Sequence, residues 1–329
     1  MFCWKQLNKN PKSAEKLKGA IFGVVTGDAL GVPYEFKSAE EIAEIGEIKM
    51  IDGGSWSQPI GAWSDDSSLT LCLLESLANG YNLKDIAEKF ILWKNNKIWN
   101  ASDYVFDMGL NTSRGIDDLI RIFEEGDFEC LKYLKNDENI YSNGNGSLMR
   151  ILPLLWEIRG KSLKQQFEQI HEVSALTHPH TISAIACFIY LKIGEKILEG
   201  KEKNEAYQET RKEVKEFIVS KKINPEFREE FANILDEDIK TIHKKSLISS
   251  GYVVKSLEVV LYCFLKYDSY KDIVIESIKF GGDTDTAAAI GGGLAGLYYG
   301  FENIPKEWLQ KIRKYNEIEK CISNYQKIC

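Results

Sequence analysis

Ser64-Asp-Asp-Ser-Ser-Leu-Thr-Leu-Cys-Leu-Leu-Glu-Ser-Leu77 sets a hydroxyl and paired carboxylates directly ahead of leucines at 69, 73, 74 and 77. That spacing of three and four is the one-sided apolar stripe of an α-helix. Ser64 is placed to accept a backbone N–H bond as the N-cap, and Asp65 and Asp66 in the first turn complement the positive helix end by about 0.3 to 1 kcal/mol. The same periodicity recurs along the chain, only seven prolines punctuate the 329 residues, and alternating strand-like runs between turn pairs are scarce. An all-α fold follows. Gly53-Gly-Ser through Gly61 reads as a surface loop rather than a hairpin. Lys and Glu crowd the stretch from about Glu195 to Lys245, as in Lys201-Glu-Lys-Asn-Glu and Arg211-Lys-Glu-Val-Lys-Glu, the pattern of a solvated helix face. With no fixed-period repeat and no Pro- or Ser-rich linker, residues 1–329 are expected to form a single domain.

Composition narrows the function classes. Apolar residues make up 44% and charged residues 28%, as in ordinary globular proteins. Lys plus Arg number 42 against 49 for Asp plus Glu, and the net charge of -7 leaves no broad basic footprint for a nucleic-acid backbone. No signal peptide is read, because the apolar run Ala20–Val25 is short and stops at Gly27 and Asp28. No stretch approaches the roughly 18 apolar residues of a membrane span. Seven scattered cysteines, none in a Cys-x-x-Cys pair, argue against a disulfide framework and a thiolate zinc site, so reduced thiols and a cytoplasmic location are expected.

A second acidic helix start lies near the other end: Gly281-Gly-Asp-Thr-Asp-Thr286, followed by Ala287-Ala-Ala-Ile-Gly-Gly-Gly-Leu-Ala-Gly296. One such segment is a cap. Two of them, each combining carboxylates with a hydroxyl, suggest oxygen ligands for a hard divalent cation, Mg²⁺ or Mn²⁺. If both helix starts meet in space, like-charged pairs about 5 Å apart repel by about 3 kcal/mol each at an effective dielectric near 20, more than the helix ends return. Cations about 3.5 to 4 Å apart, bridged by carboxylate oxygens, would relieve that repulsion. The Gly291-x-Gly293-x-x-Gly296 match to a dinucleotide fingerprint is rejected, since no strand precedes it; inside a helix these glycines permit close packing.

Other polar stretches are ambiguous by themselves. Ser142-Asn-Gly-Asn-Gly-Ser-Leu-Met-Arg150 is a glycine-rich turn leading into an apolar helix, able to aim N–H groups at phosphate oxygens or simply to turn. Asp107 reads as a cap or a catalytic carboxylate. In Thr177-His-Pro-His180 a helix restarts, and His178 is either structural or presented to a nucleotide. Glu35, within Gly27-Asp-Ala-Leu-Gly-Val-Pro-Tyr-Glu-Phe36, sits among apolar neighbours that could raise its pKa, although local sequence favours an exposed loop glutamate.

Taken in order, Gly27-Asp-Ala-Leu-Gly with Glu35, Ser64-Asp-Asp-Ser, Asn145-Gly-Ser-Leu-Met-Arg, Thr177-His and Gly281-Gly-Asp-Thr-Asp-Thr resemble the ADP-ribosylglycohydrolase family across most of the chain. Asp107-Met-Gly resembles the branch containing dinitrogenase reductase activating glycohydrolase. The resemblance implies a compact, single-domain orthogonal helical bundle with a centre of two Mg²⁺ or Mn²⁺ ions, which hydrolyses the bond between ADP-ribose and an acceptor. It puts Ser64, Asp65, Asp66, Asp283, Asp285 and Thr286 around the metals, with Ser64 standing where many relatives have Thr. It makes Glu35 and Asp107 the catalytic candidates, and lines the diphosphate and ribose region with Asn143, Asn145, Gly146 and Ser147, His178 nearby. The expected partner is an ADP-ribosylated protein, modified on arginine, with ADP-ribose as product and with neither membrane nor nucleic acid. Two rivals remain at this stage. Paired acidic metal sites also hydrolyse phosphoryl bonds or other ADP-ribose linkages, and a catalytically silent module could capture ADP-ribose or a modifying toxin, although the retained acids disfavour that module.

Overall fold

A computed structural model describes residues 11–96, 98–102 and 104–328. The chain opens with α1 (Pro11–Gly31), α2 (Ala39–Ile45), α3 (Asp65–Leu77), α4 (Leu83–Lys94) and α5 (Leu110–Glu125). Next come the one-turn α6 (Leu155–Ile158), then α7 (Leu163–Ala175), α8 (Thr181–Leu198) and α9 (Lys203–Ser220). The short α10 (Pro225–Glu229) and α11 (Ala232–Leu235) lead to α12 (Val253–Lys266), α13 (Tyr270–Ile278), α14 (Thr284–Tyr299), α15 (Lys306–Leu309) and α16 (Tyr315–Ile328). No strand occurs among the described residues; isolated pairings join Gly53 to Gln58 and Gly144 to Tyr252.

The pairing of α1 with α14 organises the molecule. Gly19, Gly23, Gly27 and Gly31 recur every fourth residue and form one face of α1. That face lies antiparallel against Gly296, Gly292, Ala288 and Asp285, and a Cβ on Gly23 would stand 2.3 Å from the Gly292 carbonyl oxygen. The two backbones touch, so the C-terminal end of α1 is delivered to the first turn of α14. From sequence, close packing is expected of Gly291, Gly293 and Gly296; the structure supplies the matching stripe on α1. A single apolar cluster runs from Leu17 to Tyr325 and includes Trp63, Trp93, Phe188 and Tyr270. This continuity agrees with the single-domain reading.

Two local expectations change. The turn at Asn143 does not lead straight into a helix: residues 144–150 form consecutive turns, then a 3-10 turn at Leu152–Leu154 and the one-turn α6. Pro153 falls in the first turn of that 3-10 segment, where its missing N–H is tolerated. The Lys- and Glu-rich stretch is solvated along much of α9, where Lys201 pairs with Glu205 at 2.5 Å and Glu209 at 3.0 Å. Its neighbour Lys192 on α8 is buried instead, between Glu195 and Glu213. No described helix is long and apolar enough to cross a membrane.

Candidate active site

The two acidic helix starts meet. Ser64 caps α3, its side chain accepting from the Asp66 N–H at 3.4 Å, and Thr286 on α14 donates its hydroxyl to Asp66 Oδ2 at 3.2 Å. Asp28, in the last turns of α1, ties the helices together. Its carboxylate accepts the Ser64 N–H at 2.9 and 3.1 Å, the Ser67 N–H at 3.0 Å and the Ser67 hydroxyl at 2.5 Å. Burial pushes Asp28 up to about 7 despite these bonds. The remaining first-turn position, Asp283, accepts from the Asn145 side-chain amide at 2.7 Å.

Asp65, Asp66 and Asp285 are buried, and loss of water plus the neighbouring carboxylates pushes all three well above the ordinary range. Asp66 Oδ1 and both Asp285 oxygens have no hydrogen-bond partner. Buried carboxylate oxygens without donors are costly and uncommon in folded proteins, which makes them an observation in need of a ligand. The surrounding donors are all oxygen, from carboxylates and the Ser64 and Thr286 hydroxyls, with no imidazole or thiolate among them. That set fits a hard divalent cation and not zinc.

Glu35 lies at the same place, buried rather than exposed as its local sequence suggests. One carboxylate oxygen from each of Glu35, Asp107 and Asp285 falls within 4.8 Å of the others. The expected catalytic pair therefore stands directly beside an expected metal ligand. Burial and the adjacent Asp107 push Glu35 up to about 9, and burial also raises Asp107. Asp107 is not a helix cap, because α5 starts behind Gly109, which makes no side-chain capping bond. Its φ of 50° is instead a left-handed conformation, a strain that places the carboxylate against Glu35.

Glu35, Asp65, Asp107, Asp283 and Thr286 line a cavity of about 940 Å³ together with Asn145, Gly146 and His178. The wall is close-packed: a Cβ on Gly146 would stand 2.6 Å from His178 Cε1. His178 Nδ1 meets the Thr177 hydroxyl at 2.8 Å, and burial pushes the ring down to about 3, so it is neutral in use. Ser147 lies beneath the turn, with its hydroxyl accepting from Ser174 at 2.9 Å and near Cys187 Sγ at 3.7 Å. Asn143 contributes a carbonyl to the Val253 N–H at 3.2 Å, which fastens the turn to the start of α12.

Three supporting residues receive no role in the sequence reading, although Asp28 and Arg150 stand within its quoted motifs. Trp56, from the loop pinned by the Gly53–Gln58 pair, donates its indole N–H to Glu35 Oε2 at 2.5 Å. Arg150 is fully buried under the turn and donates to the carbonyls of Gly146 and Val173, its guanidinium 4.8 Å from the Phe90 ring centre. Asp28 is the third. Its signal was available as a carboxylate inside an otherwise apolar helix face, a position rarely occupied without a partner.

Known proteins resemble this chain along most of its length. The chain is 29% identical over 308 residues to the ADP-ribosyl-[dinitrogen reductase] glycohydrolase of Rhodospirillum rubrum, covering 92% of each chain. It is 28% identical over 316 residues to the ADP-ribosylarginine hydrolase Tri1 of Serratia proteamaculans (strain 568), covering 93% of this chain and 78% of the relative. Among solved structures, a chain of an ADP-ribosylglycohydrolase-related protein complex superposes with a TM-score of 0.76 at 23% identity, over 97% of this chain and 99% of that one, which establishes the common fold. The ADP-ribosylglycohydrolase family profile matches residues 9–328, which, with the acid-lined cavity at the starts of α3 and α14, places the chain in the ADP-ribosylglycohydrolase family of hydrolases.

Proposed function

We propose that this chain is a divalent-metal-dependent hydrolase that removes ADP-ribose from arginine side chains of a protein. The observation that carries the proposal is the set of buried, donor-less oxygens on Asp66 and Asp285 beside the Glu35–Asp107 pair. Similarity to relatives named for ADP-ribosylarginine and for ADP-ribosylated dinitrogen reductase supports the substrate.

Ser64, Asp65, Asp66, Asp283, Asp285 and Thr286 would hold two Mg²⁺ or Mn²⁺ ions. Such ions supply Lewis-acid polarisation and a template for ribose hydroxyls and water. The Asn145–Gly146 turn and His178 form the wall against which the nucleotide diphosphate and ribose lie, held in place from below by Arg150. Burial and the adjacent Asp107 push Glu35 up to about 9, so Glu35 is the member of the pair that holds a proton at neutral pH. In hydrolysis a water oxygen bonds to the anomeric carbon while the carbon–nitrogen bond breaks, its electron pair passing to the guanidine nitrogen. The ionised member of the pair takes a proton from the water, and the protonated member returns one to the leaving nitrogen.

Incubating the protein with an ADP-ribosylarginine peptide and Mg²⁺ or Mn²⁺ tests this directly. Release of free ADP-ribose, identified by mass, is expected. AMP with ribose phosphate would instead mean cleavage within the diphosphate, and no product with either ion would reject the activity.

A further inference from the structure

Phe36 follows Glu35 and is the least economical residue near the site. Its backbone φ is 67°, a region bulky L-residues avoid, and its side chain is 63% exposed. A left-handed conformation at such a residue costs on the order of 1 to 3 kcal/mol and persists only where the surroundings impose it. Here a reciprocal backbone pair imposes it: the Phe36 N–H donates to the Gly282 carbonyl at 2.8 Å, and the Gly282 N–H donates to the Lys37 carbonyl at 2.8 Å. The clamp joins the loop after α1 to the turn that carries Asp283. Core packing does not account for a ring so exposed, and Phe36 lines the cavity on its Glu35 side.

The ring does not stand alone. Trp56 is 6.2 Å away between ring centres, Phe106 lies 6.3 Å beyond Trp56, and Tyr104 lies 6.5 Å from Phe106. The indole N–H of Trp56 holds Glu35. Phe36 and Trp56 both line the cavity, so two rings of this cluster form an aromatic shelf beside Glu35. A planar cation fits such a shelf, with its face on a ring and its edge N–H groups toward carboxylates.

The nucleotide wall proposed above is the Asn145–Gly146 turn with His178, which leaves the rings beside Glu35 for the acceptor. We propose that Phe36, backed by Trp56, receives the acceptor guanidinium and sets the preference for arginine-linked over serine-linked ADP-ribose. A serine acceptor has neither the charge nor the plane to use the shelf. This rests on the arginine reading above and deepens it.

Steady-state kinetics on matched arginine-linked and serine-linked peptides, with Phe36→Ala, Phe36→Leu and Phe36→Tyr, test the assignment. Phe36→Ala and Phe36→Leu are each expected to raise KM for the arginine-linked peptide about two- to fivefold, the span of an exposed cation–π contact, with the change falling on KM rather than kcat. Phe36→Tyr should restore the wild-type value, and the Kd for free ADP-ribose should be the same in all variants. Phe36→Gly, which relieves the backbone, checks folding through its Tm and should share the raised KM. A Phe36→Leu enzyme with wild-type KM, or a loss shared equally by free ADP-ribose, overturns the shelf alone. A wild-type enzyme that cleaves the serine-linked peptide and not the arginine-linked one overturns the arginine reading and the shelf together.

Discussion

Gly27 packs so closely on Ala288 that a Cβ at position 27 would stand 2.1 Å from the Ala288 carbonyl oxygen. The neighbour is helix backbone and has no rotamer by which to withdraw, so Gly27→Ala must part α1 from α14. Overpacking of this kind costs typically about 1–3 kcal/mol. Asp28 rides on one helix and Asp285 on the other, so the lost stability and the geometry of the acid cluster are linked. Thermal unfolding with a parallel Mn²⁺ titration should show a lower Tm and weaker cation binding in Gly27→Ala. An unchanged Tm would mean that the helices are not held at this contact.

Trp56 controls the proton on Glu35. Its indole N–H favours the ionised carboxylate, so Trp56→Phe, which removes the donor and keeps an aromatic ring, should push Glu35 further up from about 9. The basic limb of the pH–rate profile is expected to move to higher pH. Loss of a hydrogen bond that positions a neutral carboxyl, worth about 0.5–1.5 kcal/mol, should also lower kcat by up to roughly tenfold. A profile of kcat against pH separates the two effects, and a limb that stays in place would remove Trp56 from this role.

The acid groups that define the site were readable where their signals are local. Ser64 with Asp65 and Asp66 announces a helix start through capping and periodicity within a few residues, and the Asp283–Thr286 segment does the same. The burial of Glu35 was not readable in that way. It depends on Trp56, 21 residues on, and on Asp107, brought in by a separate loop with a left-handed backbone. Ser147 illustrates the opposite difficulty: its glycine-rich setting suggests an open loop, yet its hydroxyl faces Ser174 beneath the turn. Likewise the four-residue glycine repeat of α1 is plain in the sequence, but the helix it touches comes from the far end of the chain, with Gly296 against Gly19.

Cation stabilisation should grow with pH. Asp65, Asp66 and Asp285 have folded-state pKa values raised above their unfolded ones, so their contribution to stability is fully present below the unfolded value near 4 and is lost as pH rises through the raised values. In the metal-free protein this window is where the cluster is forced toward charge. A bound cation prefers the ionised form and offsets that loss, so the increase in Tm on adding Mn²⁺ should be larger at pH 8 than at pH 6. Equal increases at both values would indicate that binding does not displace protons from these groups.

Removing one of the unpartnered carboxylates should separate stability from function. Asp285→Asn keeps nearly the same shape and removes a charge that is buried, close to Glu35 and Asp107, and without any hydrogen-bond donor. For the metal-free protein this relieves desolvation and like-charge repulsion, so its Tm should rise above that of the metal-free wild type by an amount corresponding to about 1 kcal/mol or more. The same change removes a ligand, so the Mn²⁺-induced increase in Tm and the release of ADP-ribose should both fall sharply, with helical content by circular dichroism preserved. A structural carboxylate would behave in the opposite sense: its loss would lower the metal-free Tm and leave the cation response intact. The opposed signs let one variant, measured with and without Mn²⁺, decide whether Asp285 is there to hold the fold or to hold an ion.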